Sequence, residues 1–127
     1  MSSIAVLDYQ TIASGYSSEK NSFEKFFSSK TAGTILIWNL NNSTQLKTLN
    51  QHTGSVYSLA LLSSDGKLAS ASADRTVLIW NVTNGQMIHK LEGHGDEVNC
   101  LAVINNEKLA SGSNDHTIRI WLTESGS

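Results

Sequence analysis

The sequence contains no proline and one cysteine, and both scarcities limit how the chain can form its turns and crosslinks. Without proline, the turns depend on glycine, asparagine, aspartate and serine, which tolerate left-handed backbone angles or bond to their own backbone. Cys100 has no partner for an internal disulfide and lies within the apolar run 98–104. We therefore expect a buried, unreactive thiol and a reducing compartment.

Basic residues and long apolar runs are scarce as well. Nine Lys and Arg against eleven Asp and Glu give a net charge of −2, so the chain lacks the basic surface that attracts nucleic acids and acidic membranes. No apolar run approaches the roughly 18 residues of a membrane-spanning helix, and the N-terminus lacks the basic start of a signal peptide. These absences predict a soluble, intracellular protein of the cytoplasm or nucleus that binds neither nucleic acid nor membrane.

Three near-copies of one hexapeptide are present instead, each ending in tryptophan. They are GTILIW at 33–38, RTVLIW at 75–80 and HTIRIW at 116–121, so the tryptophans lie 42 and 41 residues apart. A second phrase, LASASAD at 68–74, returns at 109–115 with two changes. A fixed period near forty residues indicates one supersecondary unit that recurs along the chain and stacks on its neighbours.

Within each repeat, short β-branched runs alternate with turn residues, which favours strands over helices. In the second repeat we predict four antiparallel strands, a to d, near 55–61, 67–72, 76–81 and 86–91. Strand c is apolar on both faces of its pleat, so neighbouring sheets should cover it on both sides.

The ordered set of motifs resembles the WD-repeat family of β-propellers. The resemblance rests on Gly93-His94 followed by the segment 109–121, and on the same pattern one repeat earlier. It implies an all-β fold of three consecutive blades, each a four-stranded antiparallel meander, with the last blade lacking its outer strand: an incomplete propeller. The predicted units are blade 1 (1–50, with an insertion at 16–33), blade 2 (51–91), blade 3 (92–122) and a tail (123–127).

The recurrence of His, Ser and Asp suggests a catalytic triad, but a set present twice at repeat positions favours a structural role. In the family that the sequence resembles, these residues and a tryptophan form a buried hydrogen-bond network. The two sets implied here are His52, Ser70, Asp74 and Trp80, and His94, Ser111, Asp115 and Trp121. We therefore predict no catalysis and no cofactor. We also predict no metal site, because the histidines belong to separate blades.

The first repeat differs from the other two. It begins at strand a and has no histidine loop, and Ala32 occupies the position of the turn aspartate, so its network cannot be complete. Its insertion carries Phe23, Phe26 and Phe27, which share one face if the segment is helical. Two interpretations remain: a mobile loop whose aromatic side chains pack on the chain's own sheets, or an anchor for a partner.

The resemblance implies a rigid platform for other proteins or peptides. In the family, partners contact the end of the propeller where the loops between strands d and a meet the turns between strands b and c. The corresponding residues are Ser55, Tyr57, Ala73, Glu97, Asn99 and Asn114. Tyr57 is the strongest candidate because it combines apolar area with a hydroxyl, and the alternative is a tyrosine packed at the blade edge.

We therefore interpret the chain as a non-catalytic protein-interaction scaffold or a fragment of a larger propeller. The alternative is a substrate-receptor or regulatory domain of a larger enzyme complex, such as a ubiquitin ligase or kinase assembly. Three blades cannot close a ring of ordinary geometry. The outward faces of the first and last blades should thus be exposed and apolar, with an open edge at the last strand, and further blades or self-association would cover them.

Overall fold

The computed structural model describes residues 3–7, 11–15, 33–39, 41–42, 44–63, 66–105 and 107–123. These residues form three antiparallel sheets, which we call the first blade (β1 to β4), the second blade (β5 to β8) and the third blade (β9 to β11). The strands are β1 (Ser3–Val6), β2 (Thr11–Gly15), β3 (Ile35–Asn39), β4 (Thr44–Leu49), β5 (Val56–Ser63), β6 (Lys67–Ser72), β7 (Val77–Asn81), β8 (Gln86–Leu91), β9 (Val98–Asn105), β10 (Lys108–Ser113) and β11 (Ile118–Leu122). The predicted all-β array of three meanders, with three strands in the last, is confirmed. No helix that could cross a bilayer occurs in the described ranges.

Each blade is a meander in which every strand pairs with the next along the chain. The first strands of the blades contact one another, β1 against β5 and β5 against β9, so they form the inner side of the array. In the second blade, β6 and β8 have their predicted bounds. Strand β5 runs two residues further than predicted, because register shifts at both of its ends accommodate extra residues.

Two apolar clusters hold the blades together, one at each junction between blades. The first joins residues of the first and second blades: Ala5, Ala13, Ile35, Ile37 and Leu49 with Val56, Leu68, Leu78 and Trp80. The second joins the second and third blades: Leu62, Ala69, Ala71, Val77, Ile79 and Leu91 with Val98 and Leu109. The period of the sequence is therefore also the period of the core, as expected when one supersecondary unit stacks on its neighbours.

Strand β7 lies at the centre of this arrangement. Its four residues from Val77 to Trp80 are all at most 2% exposed, which confirms that strand c is covered on both faces. Alternate side chains serve the two junctions, because Leu78 and Trp80 belong to the first cluster while Val77 and Ile79 belong to the second. Each such side chain contributes about 1.5–3 kcal/mol on burial.

Asparagine replaces aspartate after the first two tryptophans, and the structure shows that it serves the same turn. Asn39 Oδ1 accepts a hydrogen bond from the backbone N–H of Asn41, and Asn81 Oδ1 accepts one from Thr83. Either residue type supplies the acceptor of such a turn. Leu122 has no side-chain acceptor at the equivalent position of the third blade.

One turn position, five residues before each tryptophan, has a left-handed backbone in all three blades. Its φ is 92° at Gly33, 75° at Arg75 and 69° at His116. Glycine adopts this conformation without a steric cost, whereas a residue with a Cβ atom is strained there. The backbone of this one position is thus the same in the three blades although its residue differs.

The outward faces of the first and third blades are apolar and exposed, as predicted. In the third blade, Ile118 is 76% and Ile120 56% exposed, whereas Val77 and Ile79 at the same positions of the second blade are fully buried. In the first blade, Ile4 and Val6 are more than half exposed. The difference in exposure between the blades arises from the presence or absence of a neighbouring sheet, since the side chains themselves are alike.

The prediction that Cys100 is buried is wrong, because its side chain is exposed. It lies on the uncovered face of the third blade, where the Sγ atom is adjacent to Gly112. The apolar run around it predicted burial, but the described residues provide no fourth sheet to bury it.

Most of the insertion, with Phe23, Phe26 and Phe27, lies outside the described residues, as does Ala32. Of the predicted tail, only Thr123 is described. Its side chain is buried, and its N–H donates to the carbonyl of Glu107.

Candidate functional site

A chain of hydrogen bonds crosses the second blade from β7 to the turn between β6 and β7. Trp80 Nε1 donates to Ser70 Oγ at 2.8 Å, and Ser70 Oγ lies 2.6 Å from His52 Nε2. His52 Nδ1 lies 2.8 Å from Asp74 Oδ2. An ionised carboxylate only accepts, so Nδ1 carries the proton, Nε2 accepts, and Ser70 donates to it. Every donor in the chain then meets an acceptor.

The third blade repeats this chain with nearly the same geometry. Trp121 Nε1 donates to Ser111 Oγ at 2.7 Å, Ser111 Oγ lies 2.7 Å from His94 Nε2, and His94 Nδ1 lies 2.9 Å from Asp115 Oδ2. In both blades the imidazole also meets the indole edge-on, with ring centroids 6.3 Å and 6.1 Å apart. The structure thus brings together all eight residues of the two sets.

Both carboxylates accept further hydrogen bonds from residues that the sequence analysis did not single out. Asp74 Oδ1 accepts from the N–H and the hydroxyl of Thr76, and Oδ2 also accepts from the N–H of Thr53. Asp115 is bonded in the same way by Thr117 and Gly95. The sequence contains a pattern that could have identified the two threonines, because the spacing Asp-x-Thr occurs in both repeats. A threonine two residues after a turn aspartate can donate a hydrogen bond to it.

The network ties a loop to the sheet beneath it. The histidine comes from the loop before the blade, the serine from its second strand, the aspartate from the b–c turn and the tryptophan from its third strand. Backbone bonds reinforce the link, because Ala73 N donates to the carbonyl of Ser55 and Asn114 N to that of Glu97, both at 2.9 Å. A fully bonded polar network of this kind fixes one arrangement, and the loss of one member leaves buried groups unpaired.

The first blade retains one step of the network. Trp38 Nε1 donates to Ser14 Oγ at 3.0 Å. The aspartate position, Ala32, lies outside the described residues.

The carboxylates of both networks have strongly lowered pKa values. Burial disfavours the charged form of Asp74, but hydrogen bonds from His52 and Thr76 and the electrostatic effect of His52 favour it more, so its pKa lies well below the usual range. For Asp115 the hydrogen bond from Thr117 is the largest influence, and with the bonds from His94 and Gly95 it outweighs desolvation and lowers the pKa similarly.

These shifts predict acid sensitivity. A carboxylate whose pKa is lower in the folded than in the unfolded chain stabilises the fold above its unfolded pKa, near 3.9, and loses that effect as the pH falls toward the folded value. We expect the urea midpoint of unfolding to decrease as the pH is lowered from about 5 toward 2. In the Asp115→Asn variant this decrease should be smaller. Equal slopes for the two proteins would contradict a contribution from Asp115.

The histidine and serine side chains of both networks are buried, and this determines whether a substrate could reach them. The side chains of His52 and His94 are 0% and 1% exposed, and Ser70 and Ser111 are fully buried. A nucleophilic hydroxyl must reach its substrate, and these hydroxyls are covered by their own blades. Among the described residues no group of three or more His, Cys, Asp and Glu side chains could hold a metal ion.

The predicted partner-binding residues lie around the loops that the networks hold. Tyr57 is half-buried, and Asn99, the equivalent residue of the third blade, is exposed and donates through Nδ2 to Asn114 Oδ1. Ala73 and Glu97 are partly exposed. Ser55, which was predicted to contact partners, is only 3% exposed, and its carbonyl accepts a hydrogen bond from Ala73 N.

Comparisons with known proteins agree with the geometry. The family described as "WD domain, G-beta repeat", WD40, matches residues 43–81 and 85–121, which together make up more than half of the chain. Each match begins near the outer strand of one blade and ends at the third strand of the next, so the sequence repeat spans a junction between blades. The chain belongs to the WD40 repeat family.

Solved structures with this fold are similar over most of the chain. A structure of U3-55K and a crystal structure of the WD40 repeats of RRP9 each share 29% identity with it, at a TM-score of 0.75. Each similarity covers 93% of this chain and 32% of the other, so this chain spans about a third of those proteins' length. The search of curated proteins found no match.

Proposed function

We propose that this chain is a non-catalytic protein-interaction module that binds a protein or peptide at the loop end of its second and third blades. The WD40 fold is in general a protein-interaction scaffold, and this supports the broad class. The observation that carries the proposal is the doubled network. The hydrogen bonds of its serine, histidine and aspartate hold a loop against the sheet. The residues above that loop therefore keep fixed positions.

The binding surface that we propose comprises Tyr57, Ala73, Glu97, Asn99 and Asn114. These side chains occupy equivalent positions on two adjacent blades, and Asn99 and Asn114 are already bonded to each other. A surface held in its bound conformation loses less entropy on association than a mobile one. Tyr57 would provide the apolar anchor, since tyrosine is enriched among the residues that dominate binding energies.

The Tyr57→Ala variant tests this surface. We expect it to lose most captured proteins in quantitative affinity capture from cell lysate while its circular-dichroism spectrum stays unchanged. Asn84→Ala, in the exposed turn between β7 and β8, is the matched control and should capture the same proteins as the unmodified chain. Retention of the full set by Tyr57→Ala would exclude this surface.

The identity of the captured proteins separates the two functional classes. Loss of ligase or kinase subunits together with the direct partner would favour the substrate-receptor or regulatory role. Capture of the partner alone would favour a simple scaffold.

A further inference from the structure

The turn between β7 and β8 contains the one Asn-Gly dipeptide of the sequence, Asn84-Gly85. The side-chain amide of an asparagine can be attacked by the backbone nitrogen of the next residue. Glycine obstructs this attack least, because it has no Cβ atom and its backbone approaches other groups closely. Asn84 is exposed, so water reaches its amide. The dipeptide therefore has the chemistry of a spontaneous modification site.

Hydrogen bonds within the turn hold both reacting groups. Gly85 N, the nucleophile, donates to the carbonyl of Asn81 at 2.8 Å. Asn84 Oδ1, which is bonded to the carbon under attack, accepts from Gln86 N at 2.9 Å. The nitrogen must release its proton before it can react, and the amide must turn away from Gln86 toward Gly85. The closed turn therefore opposes the reaction.

The side chain of Asn81 keeps this turn closed. Its Oδ1 atom accepts hydrogen bonds from Thr83 N at 2.9 Å and from Asn84 N at 3.4 Å. These two bonds fix the backbone on the N-terminal side of the reactive dipeptide. Loss of the Asn81 side chain should thus let the turn open more often while the carbonyl that binds Gly85 N remains in place.

The first blade has the same turn bonds without the reactive dipeptide. Asn39 Oδ1 accepts from Asn41 N at 2.8 Å, and Asn42 Oδ1 accepts from Thr44 N at 3.2 Å. In the sequence Asn42 is followed by Ser43, and a residue with a Cβ atom obstructs the attack. The molecule therefore supplies its own comparison for the turn of the second blade.

We propose that Asn84 is a site of spontaneous deamidation whose rate is set by local opening of the turn that Asn81 holds closed. Gly85 N loses its proton and bonds to Asn84 Cγ, and the side-chain nitrogen leaves as ammonia, which produces a five-membered succinimide. Water then adds to one of the two imide carbonyls and opens the ring to aspartate or isoaspartate. The sum consumes one water and releases one ammonia, without oxidant or cofactor. The site does not depend on the function proposed above.

The two products should affect the fold differently. Aspartate keeps an oxygen that accepts from Gln86 N, whereas isoaspartate adds a side-chain carbon to the main chain beside Gly85. A Cβ atom on Gly85 would lie 3.5 Å from Lys47 Cδ and 3.7 Å from Leu49 Cδ2, so the turn is close to the outer strand of the first blade. We therefore expect the isoaspartyl form to unfold at a lower temperature than the Asn84→Asp variant.

Mass spectrometry of digests tests the proposal by following conversion at Asn84 while the 127-residue chain is incubated at mildly alkaline pH. The chain unfolded in urea should convert at least about tenfold faster than the folded chain. In the folded chain, Asn81→Ala should accelerate conversion roughly three- to tenfold, because it removes the turn bonds to Thr83 and Asn84. Asn39→Ala removes the equivalent acceptor from the first blade. It is the matched control and should leave the rate at Asn84 unchanged.

Exchange of the Gly85 amide proton with solvent reports on opening of the turn without the chemistry. Asn81→Ala should raise this exchange rate by the same factor as the rate of conversion. Equal conversion in the folded and the urea-unfolded chain would overturn the proposal, as would the absence of isoaspartate among the products. Equal rates in Asn81→Ala and Asn39→Ala would also overturn it, because conversion would then not depend on opening of this turn.

Discussion

Replacing Asp74 with asparagine is expected to destabilise the chain by about 2–3 kcal/mol. The carboxylate accepts four hydrogen bonds, two at each oxygen: from Thr76 N and Oγ1 at Oδ1, and from His52 Nδ1 and Thr53 N at Oδ2. Asparagine offers one accepting oxygen, so in either orientation its amide group faces donors. Each partly buried donor left without an acceptor costs about 1–3 kcal/mol. The free energy of unfolding in urea at pH 7 measures the loss.

Two further variants make this prediction specific. Asp115→Asn removes the equivalent carboxylate from the third blade, where Thr117 is exposed and Trp121 only partly buried, so water can replace part of the lost bonding and the shift should be smaller. Glu92→Gln removes a negative charge from an exposed pair with Lys90 and should change stability by less than about 1 kcal/mol. If Asp74→Asn were no worse than Glu92→Gln, the network would not stabilise the fold.

Replacing Gly33 with alanine is expected to destabilise the chain by about 2–5 kcal/mol. The left-handed φ of 92° costs a residue with a Cβ atom roughly 1–2 kcal/mol. The added Cβ would also lie 2.5 Å from the carbonyl oxygen of His52, a backbone atom of the adjoining blade. Relief of that overlap requires the loop that carries His52 to move, which adds about 1–3 kcal/mol.

Gly85→Ala is the matched control for this variant. Gly85 also has a left-handed φ, of 74°, but the nearest atom to an added Cβ is 3.5 Å away. Its cost should be that of the backbone alone. The midpoints of thermal unfolding of the two variants therefore separate the cost of the backbone conformation from the cost of the overlap. Equal midpoints would show that a Cβ atom at residue 33 does not overlap with the loop that carries His52.

The comparison of repeats explains how much of this fold the sequence could predict. Local pattern located β6 and β8, because their apolar and turn residues are determined by their own segment. The pairing of His52 with Asp74 was also predictable, since the resemblance to WD repeats carries the positions residue by residue. Thr76 and Thr117 were missed although their spacing from the aspartates is the same in both repeats.

Burial was harder to predict, because it depends on the neighbouring sheet. Cys100 lies in an apolar run that resembles the strand of the second blade, yet its side chain is exposed. Ser55 has the opposite outcome, since it was expected to contact partners and is 3% exposed. No local property of these two segments distinguishes a covered face from an uncovered one.

The most direct test of the structural role of the network is the exchange rate of the three indole Nε1 protons with solvent, measured by NMR on tryptophan-labelled protein. Trp80, which is 1% exposed and bonded to a complete network, should exchange most slowly. Trp121 should follow, because its indole bonds to the equivalent network but is only partly buried. Exchange of all three at the rate of free tryptophan would contradict the account.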